Sequence, residues 1–352
     1  MPELLFILSC SLGFAILFTW GFRHLPGERW QMLAVVPSRR SGRGSWQGTN
    51  FTFYGFLVAC STTGGALLTL ILLRSVAVSL WGALLLLLII LAITLPAAKI
   101  MARVVEKKRH TFTIGGAFFC GLVMAPWVVM AVNWWLRAQG VPQIDMIVLL
   151  AALAIGYTLG EGLGRLACVS FGCCYGKPVK DCGRLSRLLF GRLSFVFTGP
   201  TKKAVYEGAL EGERLVPVQA MTSILYTATA MICAYLFLTS HFVAALLISL
   251  VVSQVWRFFS ETLRADFRGL GKVSAYQKMS LAALPYIAAV AFFAPQPVQA
   301  AQPSILLGLT IFTQPVPMIS LQLLWLIIFL VFGRSTVTAS TLSFHLVREH
   351  VP

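Results

Sequence analysis

Charged residues are scarce in this 352-residue chain: Asp, Glu, Lys and Arg together make up 11% of it, and only 12 residues are acidic. A soluble globular domain has roughly a quarter of its residues charged. Together with a hydrophobic share of 58%, this scarcity excludes an ordinary soluble domain. Because several apolar runs are long enough to cross a bilayer, we predict an integral membrane protein built from helices and not from a barrel.

Familiar local motifs are also missing. The chain has eight cysteines but no CxxC and no His/Cys cluster at zinc spacing, so we predict no metal site and no cofactor. The N-terminal Met1-Pro2-Glu3 lacks a basic region, and the apolar run that follows lacks a cleavage site, which predicts a retained helix.

Basic residues greatly outnumber acidic ones: 28 Lys and Arg give a formal net charge of +16. In a soluble protein this excess would suggest nucleic acid. In a membrane protein it indicates loops that meet anionic lipid headgroups. We therefore predict the lipid bilayer as a partner and no nucleic acid.

Nine apolar runs predict an all-α polytopic membrane bundle of about nine transmembrane helices: residues 4–22, 51–73, 76–98, 112–136, 146–159, 217–238, 242–259, 279–293 and 305–332. The last run contains Pro315 and Pro317, which predict a kink. The longest polar insertion, 177–216, predicts a small extramembrane cap with a strand near 193–197, and the tail predicts a hairpin or surface strand. We divide the chain into an N-terminal helix with a basic interfacial segment (1–50), a central membrane domain (51–295) and a C-terminal helix with its tail (296–352).

The stretch 160–178 differs from the rest of the chain. Five glycines, three cysteines, Glu161 and Arg165 fall within it, at the end of an apolar run. Glycine lets the backbone approach a ligand closely, and arginine presents a planar fork of donors to an anion. We interpret the stretch as the active-site segment. The alternative is a glycine-rich helix-packing surface in which Arg165 only reaches the membrane interface and Glu161 pairs with it.

A second polar group ends the seventh run. Arg257, Glu261 and Arg264 are spaced i, i+4 and i+7, which places them on one face of a helix. Ionisable residues inside a membrane segment are functional candidates by default, and Arg257 is our candidate for contact with a phosphate. The alternative is an ion-pair ladder that only closes the helix end.

Four short segments accompany the stretch 164–176: Tyr54-Gly55, Gly115-Gly116, Pro217-Val218-Gln219 and Arg257-x-x-x-Glu261-x-x-Arg264. In this order along the chain, the five resemble the prolipoprotein diacylglyceryl transferase family. Its pattern for the central stretch is Gly-Arg-x-Gly-Asn-x-x-Asn-Gly-Glu-x-x-Gly, and its other patterns are Tyr-Gly, His-Gly-Gly, Pro-Ser-Gln and Arg-x-x-x-Glu-x-x-Arg. The resemblance implies catalytic roles for Arg165, Arg257 and Cys173. It implies substrate contacts for nine further residues: Tyr54, Gly115, Gly116, Gly164, Gly172, Gly176, Gln219, Glu261 and Arg264.

The departures from the family pattern fall on residues that would transfer protons. The His before Gly-Gly is Ile114, the two asparagines are Cys168 and Phe171, and the glutamate is Cys173. His110, nearby, is a possible substitute for the missing base, although a headgroup contact is the commoner role for a loop histidine. These departures predict a divergent branch with a Gly-Cys-Cys-x-Gly motif.

The resemblance implies transfer of the diacylglyceryl group of phosphatidylglycerol, or another anionic phospholipid, to a cysteine thiol of a lipoprotein precursor in the bacterial plasma membrane. Two alternatives stay open: a related transferase with a different acceptor, and a non-catalytic lipid-binding protein. Two arguments disagree about which side of the membrane the central motif faces. The basic loops share the face of the central motif, which the positive-inside rule makes cytoplasmic, whereas the family places that motif outside. We expect the outward orientation.

Overall fold

A computed structural model describes residues 1–41, 44–105, 114–140, 143–266, 273–295 and 302–341. Its helices, in chain order, are α1 Pro2–His24, α2 Phe53–Ser75, α3 Leu80–Val105, α4 Ile114–Ala138, α5 Met146–Phe171, α6 Arg184–Phe190, α7 Lys203–Tyr206, α8 Val218–Leu238, α9 Phe242–Thr262, α10 Ala275–Phe293, α11 Ile305–Leu309 and α12 Pro315–Phe332. Its strands are β1 Met32–Arg40, β2 Ser45–Thr52, β3 Phe195–Val196, β4 Arg214–Leu215 and β5 Arg334–Thr341.

The predicted polytopic helix bundle is confirmed. Within the described residues, eight helices are long and apolar enough to cross a membrane, and α10, with 19 residues, corresponds to another of the predicted runs. The ninth run differs from prediction. It is not one kinked helix but α11, a 3-10 turn at Thr310–Thr313 and then α12. Pro315 occupies the first turn of α12, where its missing N–H costs no helical hydrogen bond.

Helix α5 lies at the centre of the bundle and packs against α2, α8 and α9. Its contact with α2 depends on glycine. A Cβ on Gly156 would lie 1.9 Å from Thr69 Oγ1, and one on Gly65 would lie 2.4 Å from the Gly156 carbonyl oxygen. The Thr69 hydroxyl donates across this seam to the Ala152 carbonyl at 3.3 Å. Small residues thus let the two backbones touch, the usual way for membrane helices to associate without a hydrophobic driving force.

A three-stranded antiparallel sheet, in the order β1-β2-β5, lies at the end of the bundle where α1 ends and α2 begins. The sequence did not predict β1 and β2, because their Arg- and Trp-containing segment was interpreted only as interfacial. The C-terminal strand β5 is the predicted surface strand, and it pairs with β2 from Phe51–Arg334 to Ser45–Thr341. The division of the chain at residues 50 and 295 stays a prediction.

The cap at residues 177–216 contains α6, α7 and the β3–β4 pair, which includes the predicted strand near 193–197. It is tied to the bundle by Lys202, which is fully buried. Its Nζ donates to the Leu25 carbonyl at 2.9 Å and to the Ser170 carbonyl at 2.5 Å, at the ends of α1 and α5. Burial lowers the pKa of this amine to about 8.

Candidate active site

A cavity of about 910 Å³ lies among α2, α3, α4, α5, α8, α9 and α10 and reaches the sheet. It brings together nine of the twelve residues that the sequence proposes for the site: Tyr54, Gly115, Gly164, Arg165, Cys173, Gln219, Arg257, Glu261 and Arg264. Most of its wall is apolar, and the charged groups are gathered at the end where α5 and α9 finish. This cavity suits a molecule whose acyl chains lie along the apolar wall and whose charged headgroup lies at the charged end.

The carboxylate of Glu161 joins the two candidate arginines. Its Oε1 accepts from Arg165 Nη2 at 2.5 Å, and its Oε2 accepts from Arg257 Nη2. Tyr157 donates its hydroxyl proton to the same carboxylate and accepts from Arg257 Nη2 at 2.8 Å. The Glu161 side chain is only 1% exposed. One buried anion therefore holds two guanidinium groups, which leaves the cluster with one net positive charge.

Both arginines keep donors for a ligand. Within the described part of the chain, Arg165 Nε and Arg257 Nε are buried without a hydrogen-bond partner. Buried donors are normally satisfied, and an unsatisfied one costs about 1–3 kcal/mol. The Arg257 guanidinium also stacks on Phe118, with 5.2 Å between Cζ and the ring centroid. A net positive charge with unfilled donors is suited to an anion such as a phosphate.

Two of the candidate glycines in the cavity wall make room for polar groups. A Cβ on Gly115 would lie 3.0 Å from Arg257 Nη1 and from the Tyr276 ring, so a larger residue would press on the guanidinium. A Cβ on Gly164 would lie 3.3 Å from Ser61 Oγ, across the contact with α2. The absence of a side chain at Gly115 thus lets the Arg257 guanidinium occupy its position.

Arg264 and Glu261 form a separate cluster from the Glu161 group. Arg264 lies beyond the end of α9, so the predicted single helical face stops short of it. Two donors of its guanidinium group bind the Asp266 carboxylate: Nε donates to Oδ1 at 2.7 Å and Nη2 donates to Oδ2 at 2.6 Å. The third, Nη1, lies 3.4 Å from Glu261 Oε1. Ser274 Oγ donates to the other Glu261 oxygen at 3.3 Å. This arrangement suits a positioning role better than direct capture of a phosphate.

Three candidate glycines lie outside the cavity wall and have packing or turn roles. Gly116 faces α3, where a Cβ would lie 2.5 Å from Met101 Cβ. Gly176 bridges to Arg264, and its missing Cβ leaves room for the Val216 carbonyl. Gly172 caps α5 in the left-handed region, with φ of +72°. It turns the chain back so that the next two residues face the cavity.

That turn gathers three thiols. The sulfur atoms of Cys168, Cys173 and Cys174 all lie within 4.8 Å of one another. Gln219 Nε2 donates to the Cys173 carbonyl at 2.9 Å. Hydrogen bonds with the Cys168 and Cys174 sulfurs, and then burial, hold the pKa of the Cys173 thiol well above its ordinary value. Sequence spacing alone, on which the prediction of no metal rested, does not reveal this convergence.

The remaining candidates are placed as follows. The Tyr54 ring packs against Phe171, with 5.6 Å between centroids, at the cavity wall. Gln219 is buried, and within the described residues its Oε1 has no hydrogen-bond partner. Ile114, where the family has His, begins α4. His110, the suggested substitute base, lies outside the described residues.

Tyr157 was not predicted as a site residue, and Glu161 was expected only to pair with Arg165. The predicted pair of Glu161 with Arg165 is present, and Glu161 binds Arg257 as well. The sequence does contain a pattern that points to this cluster: Tyr157, Glu161 and Arg165 are spaced i, i+4 and i+8, on one face of an apolar helix. Polar residues in that register inside a membrane helix point to a functional cluster.

A comparison with protein families decides the class. A family model described as prolipoprotein diacylglyceryl transferase matches residues 45–294, more than half of the chain. The chain belongs to the prolipoprotein diacylglyceryl transferase family. Searches among curated proteins and among solved structures return no match. Family membership and the apolar helices together indicate a multi-pass membrane transferase of lipoprotein biosynthesis, which acts on lipid and lipoprotein partners.

Proposed function

We propose that this chain transfers the diacylglyceryl group of phosphatidylglycerol to a cysteine thiol of a lipoprotein precursor, in the bacterial plasma membrane. One observation carries the proposal: Arg165 and Arg257 are held by a single carboxylate at the charged end of an apolar cavity, each with an unfilled Nε donor. A phospholipid would place its acyl chains along the apolar wall and its phosphate at the arginines.

The reaction needs stabilisation of the leaving group. The acceptor thiol releases its proton to water, and its sulfur forms a bond to the glyceryl carbon. The bond from that carbon to the phosphate oxygen breaks, and the electron pair leaves with glycerol phosphate. The leaving group gains negative charge as it departs. Preorganised donors that meet this charge lower the barrier, and one such donor is typically worth about 10²–10³-fold in rate. Arg165 and Arg257 are the residues to which we assign this role.

A transferase with a different acceptor is the second candidate. It is favoured by the thiols of Cys168 and Cys173 at positions where the family pattern has asparagine and glutamate. A non-catalytic lipid-binding protein is the third, because an arginine pair that binds a phosphate would serve lipid binding as well as catalysis. The donor lipid is shared by the first two candidates, and only the product distinguishes them.

The test is incubation of the purified protein with labelled phosphatidylglycerol, with and without a lipobox peptide, and identification of every labelled product. We expect a diacylglyceryl peptide and glycerol phosphate only when the peptide is present. Arg165→Ala and Arg257→Ala should each abolish the product while the protein stays in the membrane. A labelled product that forms without peptide would favour the second candidate, and no product at all would favour the third.

The outward orientation of the site is part of the proposal, because lipoprotein precursors emerge on the outer face. It is tested by single-cysteine variants in a background without the native cysteines. An impermeant thiol reagent added from outside should label Ser41→Cys and Thr201→Cys but not Gln139→Cys. The reverse pattern would place the acceptor on the wrong side and would favour a cytoplasmic-face phospholipid transferase.

A further inference from the structure

The three thiols at the end of α5 form a compact cluster that the phosphate site does not use. Cys168 is in the last turn of the helix, and Cys173 and Cys174 follow the left-handed Gly172. The Cys173 N–H donates to the Cys168 carbonyl at 3.1 Å, which closes the turn. Cys174 itself has φ of +56°, which is uncommon for a residue with a side chain. The backbone thus turns sharply where the sulfurs meet.

The distances suit a metal ion. Zn–S bonds of about 2.3 Å in a tetrahedral site separate neighbouring sulfurs by roughly 3.8 Å. The three sulfurs lie within 4.8 Å of one another, so small side-chain rotations would bring them to that separation. All eight cysteines are reduced, and three of them line the cavity together. Thiolates are soft ligands that favour zinc over magnesium or calcium.

The number of ligands indicates a catalytic site and not a structural one. Structural zinc sites are closed by four protein ligands, whereas catalytic sites have three and keep the fourth position for a reactant. Within the described residues, three sulfurs and no fourth His, Cys, Asp or Glu ligand atom converge here, beside a cavity that also reaches the candidate arginines. Three thiolates and one Zn²⁺ carry a net charge of −1, and the cluster of Arg165, Arg257 and Glu161 carries +1. Arg165 interacts electrostatically with Cys168 and Cys174, so this positive charge offsets that of the zinc site.

We propose that Cys168, Cys173 and Cys174 bind a zinc ion whose fourth position holds the acceptor thiol as a thiolate. This inference rests on the proposed function and supplies what the sequence lacks, a group that takes the place of the missing histidine at Ile114. The acceptor thiol binds zinc and releases its proton to water. Its sulfur then forms the bond to the glyceryl carbon, and the electron pair of the broken C–O bond leaves with glycerol phosphate.

The first test is metal content, which needs no activity. We expect about one zinc per chain in full-length protein purified in detergent, by elemental mass spectrometry. Cys168→Ser, Cys173→Ser and Cys174→Ser should each lose it. Cys233→Ser is the matched control, because Cys233 is also buried but lies in α8 away from the cavity, and it should keep its zinc. Each variant is accepted only if it elutes as a single species with wild-type helical content.

A spectroscopic measurement identifies the ligands. Protein loaded with Co²⁺ should show thiolate-to-cobalt charge transfer and the visible bands of a tetrahedral site, and addition of the lipobox peptide should strengthen the charge transfer. A peptide with Ser in place of its cysteine should not. Wild-type protein with no bound zinc, with copper instead, or with two of the three thiols joined in a disulfide would overturn the inference.

An activity assay after removal of zinc tests the zinc site separately from the proposed function. Chelation should lower transfer by about 100-fold or more, as removal of a group that activates the nucleophile does, and zinc should restore it. Full transfer after complete removal of zinc would refute the zinc site and leave the proposed function intact. Bound zinc with the three-thiol spectrum but no diacylglyceryl peptide would refute the proposed function and the thiol-activating role together.

Discussion

Glu161→Gln is the most informative change in the arginine cluster. It keeps the shape of the side chain but removes the charge that binds Arg165 and Arg257. The two guanidinium groups, whose side chains are 14% and 8% exposed, would then share a buried site without a counter-charge. Loss of one partner from a buried ion pair costs about 3–5 kcal/mol. We therefore expect a marked loss of stability and of transfer.

The assay is thermal unfolding in detergent, for which such a loss corresponds to roughly 5–15 °C. Glu213→Gln is the matched control, because Glu213 forms an ion pair of the same 2.5 Å length with Lys180 in an exposed position. Water and salt screen an exposed pair, so this variant should unfold as the wild type does.

Added lipid tests why Glu161 matters. Phosphatidylglycerol should stabilise Glu161→Gln more than it stabilises the wild type, because its phosphate replaces the lost negative charge between the arginines. Diacylglycerol, which has the acyl chains but no phosphate, should stabilise both proteins equally. If Glu161→Gln unfolds at the wild-type temperature, or if both lipids act alike on it, the assignment of a phosphate to these arginines is wrong.

Four further variants are predicted from the contacts. Arg165→Lys and Arg257→Lys should each lower transfer nearly as much as the alanine variants do, because an ammonium group lacks the planar fork that serves both Glu161 and a phosphate. Gly115→Val should lower transfer without unfolding the protein, since the added side chain displaces Arg257. Lys202→Met should lower the thermal stability, because it leaves two buried carbonyls unpaired at about 1–3 kcal/mol each. Burial lowers the pKa of Lys202 from 10.5 to about 8, so between these two pH values the amine is mostly neutral in the folded protein and mostly charged in the unfolded chain. The free energy of unfolding of the wild type, relative to that of this variant, should therefore rise from pH 8 to pH 10.5.

Much of the fold could be predicted from the sequence because membrane helices leave a strong signal. Apolar runs of bilayer length predicted the bundle, and the longest polar insertion between them predicted the cap at residues 177–216. The sheet was missed for a physical reason. Strand β1 is exposed along its whole length, so it lacks the apolar alternation that marks a half-buried strand. It is paired by β2, which joins β5 from the far end of the chain, and no local pattern reveals that partnership.

The candidate site was predictable in part. The motif residues that carry charge were found because arginines inside apolar runs are conspicuous. Their partners were harder to assign: Arg257 is bound by Glu161 of another helix, while nearby Glu261 lies beside Arg264. Sequence spacing on one helix cannot reveal a contact between two helices. The convergence of the thiols depends likewise on the left-handed turn at Gly172, which spacing alone does not determine.

The central claim, transfer of the diacylglyceryl carbon and not of the phosphate, is tested most directly by the fate of one oxygen atom. Phosphatidylglycerol carries ¹⁸O at the bridge between the diacylglyceryl carbon and phosphorus. It is incubated with the protein and a lipobox peptide, and the masses of both products are measured by mass spectrometry. Attack by sulfur on carbon predicts that all of the ¹⁸O appears in glycerol phosphate and that the peptide gains an unlabelled diacylglyceryl group. Recovery of the ¹⁸O in diacylglycerol, or of a phosphate on the peptide, would contradict it.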